Sequence, residues 1–559
     1  MVAALSLLVS AIIAADLPPN AATSTKGMVA SVHPLATDAG LAALRSGGNA
    51  IDAAIAVGLT LGVVDAHNSG LGGGCFILIS RADGKLIAID GRETAPAKAT
   101  RDMFLKDGKP DPNRSQMGPL AVATPGAIAA YALALKEHGR LKLADLVLPA
   151  AELAEKGFPL DQPNASALAR NAGVLRKHSG DGVALLKTGG TPYAKGEILK
   201  QADLARTYRG IAERGPDYFY RGPFATAVGN WMAEHGGFLS ADDFAAYQPI
   251  LREPLVTTYH GRTIVGFPPP SSGGVHVAQI LNILENFDLA AIHRRDPGEY
   301  THLLAEAMKL AFADRAYWLG DPDFARVPLG LIDKGYAKHL AAKIDLAKAT
   351  LVADHGTPPA VDERVFLKHT THATAVDSEG NWVAMTQTIN TGYGSLVIVP
   401  GTGVVLNNQM DDFAIAPGTP NAFGLVGAEA NAVAPRKRPL SSMSPTIVLE
   451  NGQPVLSVGA AGGPTIITQV VQALVRRLDL GLPLDQALRE PRIHHQWSPD
   501  AVRIESKLND SLQKALTSRG HKLTPVANMG VSQAIEIDRG SGHFLGFHDP
   551  RVPGKAAGP

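Results

Sequence analysis

The sequence predicts a mixed α/β fold, and three observations carry that reading. Of its 559 residues 45% are apolar and 19% charged, the balance of a chain that buries large cores. Ahead of residue 346 most apolar residues recur at helical spacing between turns marked by Gly and Pro. After residue 370 they alternate in short β-branched runs separated by turn residues.

The elements follow in order. Ala3 to Ala15 is an apolar run ending in small residues, the length of a signal-peptide core and too short to span a bilayer. It predicts export to the periplasm or medium, although the first basic side chain is Lys26 and a basic leader is missing. Ser46-Gly47-Gly48-Asn49-Ala50 ends one helix. The next, Ile51 to Val64, is apolar nearly all round and therefore buried. The run Asn68-Ser69-Gly70-Leu71-Gly72-Gly73-Gly74-Cys75 leaves this helix and enters a strand, Phe76 to Ser80. A phosphate cradle has the opposite order, strand to helix, so close backbone packing is expected here.

Residues 120–160 and 298–345 read as mainly helical, and Pro268-Pro269-Pro270 stiffens the approach to a further helix. Residues 346–368 are charged, lack periodicity and read as an exposed, mobile tail that would tolerate a chain break. Beyond it come a strand after Thr370, a Ser378-Glu379-Gly380-Asn381 turn and a strand from Trp382 to Thr388. Val404 to Asn407 reads as a short strand, and residues 417–439 as a Gly/Pro/Ala-rich loop. A hairpin over Asn451-Gly452 follows, then a helix from Pro464 to Arg477 with Pro at its first position.

Charge and Cys content exclude several functions. Lys plus Arg and Asp plus Glu number 52 each, so no basic field recruits nucleic acid or a membrane surface. The 18 His lack metal-ligand spacing, and His494-His495 reads as structural, so neither a metal nor a cofactor is expected. Cys75 is the only cysteine, which rules out an intrachain disulfide, and its apolar setting predicts an inert thiol.

The chemistry centres on His369-Thr370-Thr371-His372. A cut before Thr370 would free an α-amine at the mouth of a strand, beside the hydroxyl it could activate. That amine, with an ordinary pKa near 8, suits a base at neutral pH. Gly462-Gly463 sits before a helix N-terminus, where backbone N–H groups could hold an oxyanion. Asn407 to Asp412, Lys437 to Pro445 and Arg92 offer the Arg, Asp, Asn and Gln that would hold a zwitterion.

With these residues the chain resembles the γ-glutamyltranspeptidases among the N-terminal nucleophile hydrolases. The resemblance rests on Lys26 to Ala30 with His33 to Ala36, Gly47 to Ala54, Gly70 to Gly74 and Arg92-Glu93-Thr94-Ala95-Pro96. It continues through Pro268 to Gly274, Ala313-Asp314-Arg315, Gly320-Asp321-Pro322, Thr370-Thr371-His372, Leu406 to Phe413, Lys437 to Pro445 and Gly462-Gly463.

The resemblance implies a four-layer αββα sandwich of two chains cut from one precursor. Residues 1–15 would be a signal peptide, 16–369 the large chain and 370–559 the small one. Thr370 would cut the bond after His369, then take a γ-glutamyl group from glutathione or a similar donor. Water, an amino acid or a peptide would receive it. Thr388 matches the hydroxyl that supports the nucleophile, and Gly462 and Gly463 match the oxyanion hole. Arg92, Ser441 and Ser442 match the grip on the α-carboxylate. Asn390, Gln409 and Asp412 match the positions around the α-ammonium. His372 then has no role as base.

The chain departs from the commoner pattern at Phe423, where many relatives have Tyr, so a lid there loses one hydrogen bond and affects substrate retention. Ala460-Ala461 replaces a frequent Ser-Pro pair, which leaves that backbone less constrained. Pro464 has no N–H, leaving Gly462 and Gly463 as donors. The leading expectation is γ-glutamyl transfer and glutathione hydrolysis. A glutaryl or cephalosporin-type acylase would have little use for Asp412, and poly-γ-glutamate cleavage would need the loop 417–439 removed. An exported binding protein without activity would not need Thr370, Thr388, Arg92 and Asp412 together.

Overall fold

Two seven-stranded antiparallel sheets stack face to face between two layers of helices. The structure is a computed structural model and describes residues 17–180, 183–359 and 372–559. The first sheet runs Lys555–Ala557, Gly27–Ser31, His372–Asp377, Trp382–Thr388, Gly74–Ser80, Leu86–Gly91, Ile250–Arg252. The second runs Ala21–Ser24, His543–His548, Val531–Asp538, Gln453–Ala461, Thr446–Glu450, Arg262–Gly266, Leu255–Tyr259. Each sheet therefore takes strands from both sides of position 370.

Strand periodicity explains the layering. Along Gly74–Ser80 the side chains of Cys75, Ile77 and Ile79 join the core under one helical layer, whereas Phe76 and Leu78 face the other sheet. Phe76 stacks on Phe267 of the second sheet's connector with ring centroids 4.4 Å apart, an aromatic contact worth about 1 kcal/mol beyond its buried area. Thr374 meets Ser457 across the same gap, Oγ to Oγ at 2.6 Å. Helix Ala50–Val64 is buried along its whole length, as its uniform apolarity predicts, and Asn49 and Asp52 cap its first turn reciprocally. On the far side Ser272–Leu284, Pro297–Trp318 and Thr465–Leu478 cover the second sheet. The four-layer expectation therefore holds.

The local readings fare unevenly. Strands His372–Asp377 and Trp382–Thr388 stand as predicted, and Asp377 closes their turn by accepting from Glu379 N and Asn381 N. The hairpin over Asn451-Gly452 uses two residues of positive φ, 51° and 78°. The helix before Arg477 begins at Thr465, with Pro464 at its cap. Residues 404–407 make no strand of their own. Val405 and Leu406 form only isolated bridges, because this segment feeds its backbone to the Gly run and to Ile398.

The tail upstream of Thr370 also differs from expectation over its described part. Thr350 N donates to Glu306 and Gly356 N to Asp314, while the indoles of Trp497 and Trp318 donate to Val352 O and Gly356 O. Residues 346–359 are thus strapped to the helical layer, although Leu351 stays exposed. His369, Thr370, Thr371 and the proposed signal segment 1–15 lie outside the described residues. No helix among the described residues is long and apolar enough to cross a membrane.

Candidate active site

A cavity of about 410 Å³ opens at the end of the sandwich where strand Trp382–Thr388 and strand Gln453–Ala461 finish. Thr388, Asn390, Gln409, Asp412, Phe423, Ser441, Ser442, Gly462 and Gly463 all line it. Nine positions scattered over the last third of the sequence are thereby brought to one place.

The Gly run explains how the strand end is exposed. A side chain on Gly73 would overlap the Thr388 carbonyl, and one on Gly72 the Val405 carbonyl. Only bare backbone lets these segments approach, which is the packing role expected of the run. The Thr388 hydroxyl accepts from Asn390 N at 2.8 Å, and Asn390 takes a left-handed φ of 82°. Asn390 Nδ2 then donates to Asn408 O at 3.0 Å, so the hydroxyl sits in a fixed loop.

Gln409–Asp412 is one turn of 3-10 helix. Residues three apart eclipse in that geometry, so Gln409 and Asp412 face the cavity together while Met410 and Asp411 face the protein. Asn407 fixes the approach, donating to Gly72 O and Ala123 O and accepting from Gln409 N. Arg92 is fully buried and does not line the cavity. It reaches it through Asp412, with Nη2 2.6 Å from Oδ2, and also donates to Pro439 O and Leu440 O. Gln409 Nε2 and Asn421 Nδ2 lie 3.5 Å from the two Asp412 oxygens.

Ser441 and Ser442 are braced by the Pro-rich connector. Ser441 N donates to Pro270 O at 3.1 Å, and Ser272 bonds back to Ser441 O through both N–H and hydroxyl. Arg315 donates to Ser442 Oγ at 3.0 Å and to Ser272 Oγ at 2.8 Å. Burial lowers the Arg315 guanidinium to about 10, and the Asp412 charge opposes that shift. Arg315 belongs to the Ala313-Asp314-Arg315 motif, in which the sequence alone assigns it no role. Its signal is a cation near the end of a helix, within a stretch buried from Tyr300 to Arg315. Lys437 and Arg438, grouped with the serines as cavity residues, turn away. Lys437 donates to Ala430 O, and Arg438 pairs with Asp90 at 3.2 Å beneath Tyr247.

Gly462 and Gly463 take φ of 138° and 62° just before helix Thr465–Leu478. Their conformation aims backbone toward a helix N-terminus, where anionic oxygen is favoured. A Cβ on Gly463 would meet the Phe423 ring at 2.7 Å, so the ring lies directly on this turn. The loop carrying Phe423 is latched through its backbone. Ala422 N donates to Asp411 Oδ2 at 2.8 Å, and Gln496 Nε2 donates to Gly424 O at 3.0 Å. Burial first, against the Ser115 hydrogen bond, pushes Asp411 up to about 6.

A second face of the cavity was not anticipated. Asp65 and His67 follow helix Ala50–Val64, Asp161 and Asn164 begin helix Gln162–Ser179, and His33 caps helix Pro34–Arg45. The sequence does not bring these residues together because they lie far apart, and His33 stands in the His33 to Ala36 motif, which carries no role.

Two further groups have structural explanations. Cys75 is buried, and desolvation beside Glu93 and Asp90 holds its thiol well above the ordinary range. His302, Glu306 and His521 meet in space as a possible cation site. There His302 Nδ1 already bonds His521 Nε2 at 2.7 Å, and the Lys309 ammonium lies 2.9 Å from Glu306 Oε1, which disfavours a metal. His494 and His495 bond Thr468 and Asp500.

Comparison with known proteins gives the family. The family model described as gamma-glutamyltranspeptidase matches residues 36–559. The glutathione hydrolase proenzyme of Escherichia coli (strain K12) is 44% identical over 528 residues, spanning 94% of this chain and 90% of that one. The acylase ACY 1 proenzyme of Pseudomonas sp. (strain SE83) is 39% identical over 512 residues, 90% of this chain and 88% of that one. Among solved structures, a cephalosporin acylase from Bacillus halodurans superposes with a TM-score of 0.86 at 30% identity, covering 97% of each chain.

Proposed function

The chain belongs to the γ-glutamyltranspeptidase family and is an enzyme of the glutathione hydrolase type, and on that premise we propose how its residues divide the work. Thr370 is the nucleophile. Its hydroxyl first attacks the carbonyl of His369, and water then resolves the resulting ester, leaving residues 16–369 and 370–559 as two chains. Both sheets draw strands from each chain, which favours a lasting heterodimer after the cut.

In turnover the freed α-amine of Thr370 takes the hydroxyl proton as the oxygen attacks the γ-carbonyl of glutathione or a related donor. Backbone N–H groups of Gly462 and Gly463 hold the oxyanion. The C–N bond breaks, the amine leaves with the proton, and a γ-glutamyl ester remains. Water, or the amine of an amino acid or peptide, attacks that ester and restores the hydroxyl. Thr388 steadies the nucleophile. Ser441 and Ser442 take the donor's α-carboxylate, supported by Arg315 and, through Asp412, by Arg92. Asp412, Gln409 and Asn390 take its α-ammonium. Phe423 covers the site as a lid, and no metal or cofactor enters the scheme. The N-terminal segment suits export to the periplasm or medium.

One observation carries the γ-glutamyl reading over the acylase one. Asp412 presents a carboxylate to the cavity, held 2.6 Å from buried Arg92, beside Ser441 and Ser442. A γ-glutamyl donor brings an ammonium that this carboxylate can meet, and a glutaryl group does not. The acylase relatives keep the alternative in view. The test is a denaturing gel of wild type beside Thr370→Ala, with γ-glutamyl and glutaryl anilides as substrates. Two chains and γ-glutamyl turnover are expected of the wild type alone. An uncut but active wild type would remove Thr370 from its role, and preference for the glutaryl anilide would make the enzyme an acylase.

A further inference from the structure

We propose that a second cavity, of about 360 Å³, binds a small carboxylic acid with an aliphatic body, its carboxylate held by Arg476. This cavity shares no lining residue with the catalytic one. The two stand at opposite ends of helix Thr465–Leu478, which begins beside Gly462-Gly463 and carries Arg476 in its last turn. At 1.5 Å per residue the two ends lie about 17 Å apart. The remaining walls come from helices Leu289–Arg295, Pro297–Trp318 and Asp510–Ser518 and from the turns after residue 478. A space of this order suits one small molecule.

The buried arginines show why the ligand is an anion. Among the described residues Arg92, Arg315, Arg438, Arg476 and Arg492 are buried. Arg92 pairs with Asp412, Arg438 with Asp90 and Arg492 with Asp549. Arg315 and Arg476 pair with no carboxylate of the described residues and donate only to neutral oxygens. Arg315 backs Ser442 in the catalytic cavity, where the donor's carboxylate is proposed to arrive. Arg476 has the same unmet charge and lines the second cavity.

Its guanidinium is also fixed in place. Nη1 donates to Ala487 O at 3.2 Å and Glu490 O at 3.3 Å, and Nη2 to Pro491 O at 2.6 Å and Gln472 Oε1 at 3.5 Å. Nε donates to none of these and keeps some exposed surface, in a side chain that is 9% exposed overall. Carbonyl oxygens orient the group without cancelling its charge, and burial lowers its pKa. An entering carboxylate supplies the missing counter-charge.

The other lining groups set the rest of the ligand. Glu490, the one carboxylate among them, accepts from Gln486 Nε2 at 3.4 Å and forms no ion pair with Arg476. Lys507 adds a second cation, exposed to solvent, and His293 lies edge-on to the Tyr300 ring. Positive charge therefore exceeds negative. Leu304, Leu480, Leu482, Leu508 and Leu512 make the apolar wall, which an aliphatic chain covers favourably.

The probe is octanoate, titrated by calorimetry into the processed enzyme with glutamate saturating the catalytic cavity. Octanamide keeps the chain without the charge, and acetate keeps the charge without the chain. Octanoate is expected to bind at one site, with each comparator at least about tenfold weaker. In Arg476→Gln the octanoate Kd should rise about tenfold. Leu512→Glu puts a repelling carboxylate at a half-buried position of the wall and serves if the first variant fails to fold, which a thermal melt reports; Kd should rise in the same direction. Absence of octanoate binding, a comparator that binds as tightly, or an unchanged Kd in a folded variant overturns the site.

Discussion

The two faces of the cavity are built on opposite plans. On the Asp412 face the carboxylate is backed by a buried guanidinium, and Arg315 grips Ser442 from behind. On the Asp65 face the carboxylates are backed by His and Asn side chains, and one oxygen is left over. A face braced by fixed cations holds a carboxylate and an ammonium in one register, as a single zwitterionic donor requires.

The comparison can be broken in several places. The largest effect is expected from Asp412→Asn, which removes the carboxylate placed for the donor's ammonium, while Arg92 keeps Glu93 at 3.5 Å. Losing the carboxylate–ammonium pair costs on the order of 3 kcal/mol, so kcat/KM for γ-glutamyl anilide should drop about 100-fold while glutaryl anilide loses far less. Steady-state kinetics on the two anilides reads this directly. Gly463→Ala comes next. It puts a side chain at φ 62° and against Phe423, and kcat should fall about 10- to 100-fold with the chain still processed or trapped as precursor on a gel.

Arg315→Lys keeps the charge but loses the two-point grip on Ser272 and Ser442, and a donor KM raised about fivefold is expected from titrating the anilide. Phe423→Ala removes the ring over Gly463 but leaves the backbone latches at Ala422 and Gly424, so donor KM should rise only about threefold.

The effect of pH lies away from the site, in buried histidines of the sandwich. Burial holds His372, His276 and His494 each down to about 3. The unfolded chain binds their protons near 6.5 while the folded one refuses them. Stability is therefore flat with respect to these groups above 6.5 and falls as pH drops toward 3, by up to about 1.4 kcal/mol per unit for each. Urea midpoints at pH 7.5 and 5.5 should show the lower value at 5.5.

Much of this was legible in the sequence where local rules suffice. Period-two alternation gave the strands after Thr370, and the Gly run announced close backbone approach. The polar cluster Asn407 to Asp412 stood out because it followed an apolar run, and the resemblance singled out Gln409 and Asp412 within it. What stayed hidden depends on distance along the chain. Asp65, Asp161 and His33 meet only when three helix ends converge, which no local pattern reveals. Arg92 looked like a direct ligand because its type suits a carboxylate, yet the fold buries it behind Asp412. The charged segment 346–359 looked free because its own sequence offers no periodicity, and the hydrogen bonds that strap it come from Glu306, Trp318 and Trp497 elsewhere.

The most direct test is the chemical state of Thr370 during turnover. The purified protein is mixed with a γ-glutamyl donor, quenched in acid, digested and mapped by mass spectrometry. The expected result is a small chain whose first residue is Thr370, with a γ-glutamyl ester on that residue's hydroxyl that disappears when an amine acceptor is added. A chain beginning elsewhere, or a γ-glutamyl group on any other side chain, would contradict it.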